Sequence, residues 1–211
     1  MSRCFDIRNS VMQTPTFSAE IHDTIISGDD YFRYATLGLA LRRILTDNIP
    51  GSLAELGVYQ GNMSRFIHLL APERPLYLFD TFEGFPQADV QFDGHRDMFK
   101  DTSVELVMSK LTDTNHVHIR KGYVPDTLAG LEAEEFAFVL SDLDLYKATR
   151  DSLEFFYPRL VSGGYLFVHD YNNPPDPAML VNRAMSDFMA GKPERVIEIA
   201  DKWGTALIRK I

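Results

Sequence analysis

The sequence predicts an α/β protein built on one doubly wound, mostly parallel sheet that ends in an antiparallel hairpin. Three observations predict it. Strand-sized apolar runs alternate with helical patterns five times along the chain. The second run, Leu76 to Phe79, is almost wholly apolar, as a strand buried on both faces should be. Polar and acidic clusters follow the strand ends, where an open α/β sheet places its ligand.

The elements follow in order. Residues 1–28 mix polar and apolar positions around Pro15 and read as an N-terminal arm with room for a short helix. Asp29 and Asp30 can cap a helix from Tyr31 to Thr46, with Tyr34, Leu37, Leu41 and Leu45 at helical spacing. Pro50-Gly51 ends it. Strands are expected at Ser52–Leu56, Leu76–Phe79, His116–Ile119, Phe136–Leu140 and Tyr165–Val168. Helices are expected at Asn62–Leu70, Thr102–Leu111, Pro125–Glu132, Tyr146–Tyr157 and Ala178–Met189. Arg195–Ile199 and Thr205–Ile208 form the hairpin around Asp201-Lys202-Trp203-Gly204. Residues 80–101 make a loop longer than ~15 residues, a length that is usually functional or disordered. The division expected is an arm and helix over 1–49, forming a substrate lid or interface, and one ligand-binding domain over 50–211.

Composition sets limits. A chain of 211 residues with 45% hydrophobic and 24% charged residues suits one globular domain. Thirty acids against 21 bases leave a net charge of −9, which argues against a basic face tracking nucleic acid. The acids are compatible with a divalent cation. Cys4 is the one cysteine, so no intrachain disulfide forms. No apolar run approaches ~18 residues and no signal peptide is visible, so a cytoplasmic protein without a membrane partner is expected.

Five clusters carry candidate chemistry. The first is Glu55, Gly57, Tyr59, Gly61 and Ser64, a strand–loop–helix turn in which the glycines let backbone approach a ligand. Glu55 would repel a pyrophosphate and attract an ammonium or a sulfonium. It therefore favours S-adenosylmethionine over a nicotinamide dinucleotide. A turn with glycines for packing alone is the competing reading. The second is Asp80 with Thr81, at the ~20-residue spacing of a ribose-binding acid; Asp80 can equally cap its own turn. The third, Lys121 to Leu128 with Gly122, fits an adenine wall or a plain strand-to-helix turn. The fourth is Asp142 and Asp144, which face the same way if the backbone is extended; a helix cap also suits Asp144. The fifth is His169 and Asp170. Asp170 is an oxygen ligand candidate for magnesium, and His169 reads as a base, a ligand or a satisfied core histidine.

Taken together these blocks resemble the macrocin O-methyltransferase (TylF-like) family of class I, S-adenosylmethionine-dependent methyltransferases with a Rossmann-like sheet. The resemblance rests on Ala-Glu-Leu-Gly-Val-Tyr-Gln-Gly, Leu-Phe-Asp-Thr-Phe-Glu-Gly-Phe-Pro, Lys-Gly-Tyr-Val-Pro-Asp-Thr-Leu, Asp-Leu-Asp-Leu-Tyr, Tyr-Pro-Arg-Leu-Val-Ser-Gly-Gly and His-Asp-Tyr, over residues 50–190. It implies that Glu55, Gly57 and Gly61 line the methionine end and that Asp80 holds the ribose. It implies Asp142 as a magnesium ligand and base, with Asp170 as a second ligand. Members often carry two adjacent acids where this chain has His169-Asp170. That departure leaves open a weaker magnesium site, a different metal with His169 as a ligand, or a metal-independent reaction with His169 as base.

The expected reaction is methyl transfer to a hydroxyl of a small molecule or sugar, in natural product biosynthesis, assisted by Mg2+. A homodimer is left open, because lid-forming arms often pack across one. An NAD-type oxidoreductase and a non-catalytic protein that keeps the pocket are the competing classes. Binding of S-adenosylhomocysteine against NAD, and chelation in a methyl-transfer assay, separate them.

Overall fold

A computed structural model describes residues 17–86, 98–173 and 178–211. The expectations for Cys4, for Pro15 and for the middle of the 80–101 loop lie outside the described residues. The elements are α1 (Ala19–Ser27), α2 (Tyr31–Thr46), β1 (Ser52–Leu56), α3 (Asn62–Leu70), β2 (Leu76–Asp80), α4 (Val104–Ser109), β3 (Val117–Lys121), β4 (Phe136–Ser141), α5 (Tyr146–Phe156), β5 (Leu160–His169), α6 (Leu180–Met189), β6 (Ile197–Ile199) and β7 (Thr205–Arg209).

One seven-stranded sheet runs in the order β3-β2-β1-β4-β5-β7-β6. The first five strands pair in parallel, and β7 enters antiparallel between β5 and β6. Strand order reverses between β1 and β4. That junction is the switch point at which an open α/β sheet leaves a crevice beyond its strand ends. The hairpin is present as expected, and its β7 arm is the inner one.

Period-two alternation sorts the strand side chains into two cores. Leu53, Leu76, Leu78 and Leu140 face a layer made by α1 to α4. Ala54, Leu56, Phe79 and Val139 face α5 and α6. Helix α2 contributes Tyr34, Leu37, Leu41 and Ile44 to the first core, all nearly inaccessible. The segment expected to act as a lid thus carries a helix that is part of the packed sandwich.

Two elements differ most from expectation, and the arm carries the short helix it had room for. β5 begins at Leu160, because Gly163 and Gly164 lie inside the strand and exchange backbone hydrogen bonds with Lys210. The expected helix at 125–132 is a single 3-10 turn, Asp126–Leu128. Helix α1 occupies part of the arm, capped by Ser18.

Candidate active site

Asp30 sets the entry of α2. One carboxylate oxygen caps the helix at the Arg33 N–H (3.2 Å), and the other accepts from the Lys202 N–H (2.7 Å) on the β6–β7 turn. The cap therefore ties the helix to the C-terminal hairpin, and both ends of this tie border a cavity of about 560 Å³ at the switch point. That size suits a cofactor with an acceptor beside it.

One side of the cavity is built from the ends of β1, β2 and β3. Asp80, the last residue of β2, accepts from the Val58 N–H (2.7 Å) and Tyr59 N–H (2.8 Å) on one oxygen and from the Phe82 N–H (2.7 Å) on the other. One carboxylate thus fixes the β1 loop and its own turn together while still facing the cavity. Thr81 closes that turn, donating to the Gly84 carbonyl and accepting from the Glu83 N–H. Gly122 donates its N–H to the Asp80 carbonyl (2.9 Å), which brings the β3 end, with Tyr123 and Val124, to the opposite wall. Tyr59, held by its hydroxyl to Asp101 (2.7 Å), packs edge-on against Phe99, and Phe99 against Phe85.

Gly57, Tyr59, Asp80, Thr81, Gly122 and Asp142 all line this cavity, whereas Glu55, Gly61 and Ser64 do not. The reason for Glu55 is the strand period. It is the penultimate residue of β1 and points to the helix layer, like Leu53, where it accepts from the Ser64 hydroxyl on α3. Gly61 is the left-handed N-cap of α3 (φ 75°), packed against Val107. Gly57 lines the cavity, but what demands glycine there is protein. An added Cβ would lie 1.8 Å from the Asp142 carbonyl oxygen.

Burial pushes the Glu55 carboxyl up to about 8; the neighbouring Asp142 and Asp80 charges add to this, against the Ser64 hydrogen bond and Arg33. At neutral pH it is mostly protonated, so no fixed negative charge at this position repels a pyrophosphate. The expected electrostatic choice of cofactor does not operate there. A stability consequence follows. A carboxyl whose folded pKa is raised contributes stability that is full below the unfolded value near 4.5 and is lost as pH rises through about 8. Glu55→Gln removes that titration. Its stability relative to the parent should rise between pH 5 and pH 8.5 by on the order of a few kcal/mol, read by urea unfolding at both pH values. A pH-independent difference would contradict the assignment.

The second half of the cavity holds the acids of β4 and β5. Asp142 donates its N–H to the Leu56 carbonyl (2.8 Å), and its carboxylate bridges two cations. One oxygen meets His169 Nδ1 (2.9 Å) and the other meets Arg33 (3.1 Å). His169 Nδ1 also reaches Asp170 (3.2 Å). Burial would hold the imidazole down, but the Asp142 and Asp170 carboxylates outweigh it and push His169 up to about 10. Asp144 sits at φ 59° and does not stand parallel to Asp142 as an extended backbone would require. Nor does it cap α5, whose N-cap is Leu145 without a side-chain bond. It hydrogen-bonds Asp170 instead. Burial, and then that bond and the Asp170 charge, raise its carboxyl well above the usual range. Asp170 goes the other way, because Asp144 and His169 outweigh its burial. The opposite shifts place the proton of this pair on Asp144 and leave Asp170 ionised.

A macrocin-O-methyltransferase (TylF) family model matches residues 24–206. The chain belongs to this family. A Streptomyces olivaceus protein is 29% identical over 156 residues. It is named 8-demethyl-8-(2,3-dimethoxy-alpha-L-rhamnosyl)-tetracenomycin-C 4'-O-methyltransferase, and the alignment spans 66% of this chain and 60% of that protein. Mycinamicin III 3''-O-methyltransferase of Micromonospora griseorubida is 27% identical, over 75% of this chain and 74% of its own length. The O-methyltransferase NovP superposes with a TM-score of 0.70 at 26% identity, over 85% of this chain and 80% of that chain.

The magnesium expected from the family resemblance can be tested against the side chains. Asp142, His169 and Asp170 bring one ligand atom each within 4.8 Å of one another, close enough for an ion. Their chemistry does not fit magnesium, which wants oxygen donors and several waters. Both Asp142 oxygens are engaged by cationic groups. His169 Nε2 is buried without a partner among the described residues, whereas a ligating imidazole normally donates its second N–H to a carboxylate or carbonyl. Arg33 sets a fixed positive charge beside Asp142.

Arg33 and Trp203 were not singled out by sequence reasoning, yet both line the cavity. Arg33 precedes the core position Tyr34 and lies three residues after the Asp30 cap. That register was readable as the start of α2, but not as a reach to the end of β4. Among the described residues, no helix is long and apolar enough to cross a membrane.

Proposed function

We propose that the protein transfers a methyl group from S-adenosylmethionine to a hydroxyl of a sugar or other small-molecule acceptor. The observation that carries this reading is Asp80. It fixes the β1 loop and lines the cavity at the strand switch point, in a member of a family whose named relatives methylate hydroxyls. Asp80 holds the ribose, with Thr81 supporting its turn. Gly57 and Tyr59 flank the methionine end, and Gly122 with Tyr123 flanks the adenine. Glu55, Gly61 and Ser64 support this wall from behind.

The acceptor lies beside Asp142. Its hydroxyl oxygen attacks the methyl carbon in line with the sulfonium. An O–C bond forms, the C–S bond breaks, and the electron pair goes to sulfur, leaving S-adenosylhomocysteine. Asp142 takes the hydroxyl proton as the new bond forms. His169 and Arg33 hold that carboxylate in place, and alignment of the two reactants supplies much of the rate. A natural-product sugar is the acceptor class that the named relatives favour.

The test is methyl-labelled S-adenosylmethionine incubated with the protein and a panel of glycosylated polyketides, nucleotide sugars and aromatic diols. Transfer of one labelled methyl group to an acceptor oxygen, with S-adenosylhomocysteine released, is expected. Asp142→Asn should lower turnover by roughly a hundredfold or more while leaving S-adenosylhomocysteine affinity within a few-fold. Oxidation or reduction of the same acceptors with NAD and no methyl transfer would overturn the reading.

A further inference from the structure

We infer that Arg33 is the resident cation of this site, a guanidinium delivered by α2 that pairs with the Asp142 oxygen left free by His169 and so sets a fixed positive charge beside the Asp142–His169–Asp170 trio. The inference rests on the methyl-transfer reading for its purpose, but its geometry is independent of it. Arg33 meets Asp142 at 3.1 Å with only 11% of its side chain exposed. Its neighbours leave it little room to withdraw. Asp30, itself 4% exposed, caps α2 at the Arg33 amide and accepts from the Lys202 amide on the β6–β7 turn. One residue on, Tyr34 enters the core and packs at a tilt against Phe66, ring centroids 5.0 Å apart. Leu37, one turn later, is fully buried.

A guanidinium differs from a metal ion in what it can do here. It carries a permanent charge and offers fixed N–H donors to oxygens. Arg33 Nε is buried without a partner among the described residues, so the group retains donor capacity that the described protein atoms do not use. A ligand oxygen is the natural acceptor for such a donor. A divalent ion entering between Asp142 and Asp170 would compete with His169 Nδ1, which meets a carboxylate oxygen of each. It would also sit next to a charge of its own sign. Arg33 therefore acts as a positioning residue for Asp142 and as a barrier to metal.

The test is metal binding, which needs no knowledge of the acceptor. The full chain, loaded with S-adenosylhomocysteine, is titrated with Mn2+ followed by electron paramagnetic resonance, and with Mg2+ in competition. The parent should bind either ion only weakly, with dissociation constants in the millimolar range or above. Arg33→Gln, which removes the charge, should bind Mn2+ roughly tenfold tighter or more. Arg33→Lys, which keeps it, should stay close to the parent. Micromolar binding by the parent would overturn the inference, and so would equal affinities in the parent and Arg33→Gln. If Arg33→Gln does not fold, the parent's affinity decides alone: weak binding supports the inference and micromolar binding refutes it. Failure of the parent to bind S-adenosylhomocysteine would count against the methyl-donor reading and leave the metal titration readable without it.

Discussion

Asp80→Ala is expected to weaken S-adenosylhomocysteine binding by roughly a hundredfold or more. The carboxylate has two tasks that alanine cannot share. It accepts from the amides of Val58, Tyr59 and Phe82, at 2.7, 2.8 and 2.7 Å. It also lines the cavity, where the proposed ribose contact would form. Hydrogen bonds to a charged group contribute about 1.5–3 kcal/mol each, so losing a bidentate ribose contact alone predicts a loss of that size. Three amides left without an acceptor would also release the β1 loop and lower stability by about 1–3 kcal/mol. Asp80→Asn keeps the shape and one oxygen, and should fall between, at roughly tenfold weaker binding. Titration calorimetry with urea unfolding on the same samples separates the two tasks. Unchanged affinity in the alanine variant would remove Asp80 from the cofactor site.

Gly57→Ala is expected to be the most destabilising small substitution at the site, at about 3 kcal/mol or more. Two costs add. The residue has φ 84°, which charges any L side chain about 1–2 kcal/mol. Its Cβ would also fall 1.8 Å from the Asp142 carbonyl oxygen and 2.8 Å from its carbon. That neighbour is backbone, itself pinned by the Asp142 N–H to Leu56. The loop cannot yield without pulling Asp142 away from Arg33 and His169. Gly130→Ala separates the two costs. It shares the same conformation, φ 82°, but an added Cβ there meets nothing within 4 Å. It should lose only the conformational part, about 1 kcal/mol. Equal losses at both positions would show that close approach to Asp142 contributes nothing. Chemical denaturation of the pair measures the difference directly.

The architecture was readable because its signals are local. Alternating apolar runs gave five strands and the helices between them, and Asp30 caps α2 as its position beside the apolar pattern suggested. What failed were features decided at a distance. Gly163-Gly164 carries a turn signature, yet the backbone of Lys210, just past the end of β7, pairs with both residues and keeps them in β5. The 125–132 pattern lacks a long enough apolar stripe, and it yields one 3-10 turn.

The site shows the same division. Asp80, Asp142, His169 and Asp170 sit at strand ends, and strand ends can be predicted from runs alone. Glu55 was misplaced at the cavity wall because its chemistry was weighed ahead of its parity. Period two from Leu53 already sends it to the helix layer. Asp142 and Asp144 face the same way only on an extended backbone, and Asp144 at φ 59° does not meet that condition. Arg33 lies 109 residues from its partner, and no local pattern announces such a pairing.

The central claim is that the switch-point cavity holds a methyl donor. Calorimetric titration of the purified protein with S-adenosylhomocysteine, and separately with NAD, tests it most directly. Saturable one-to-one binding of S-adenosylhomocysteine in the micromolar range, with no heat from NAD, is the predicted result. Saturable NAD binding, with none for S-adenosylhomocysteine, would contradict it.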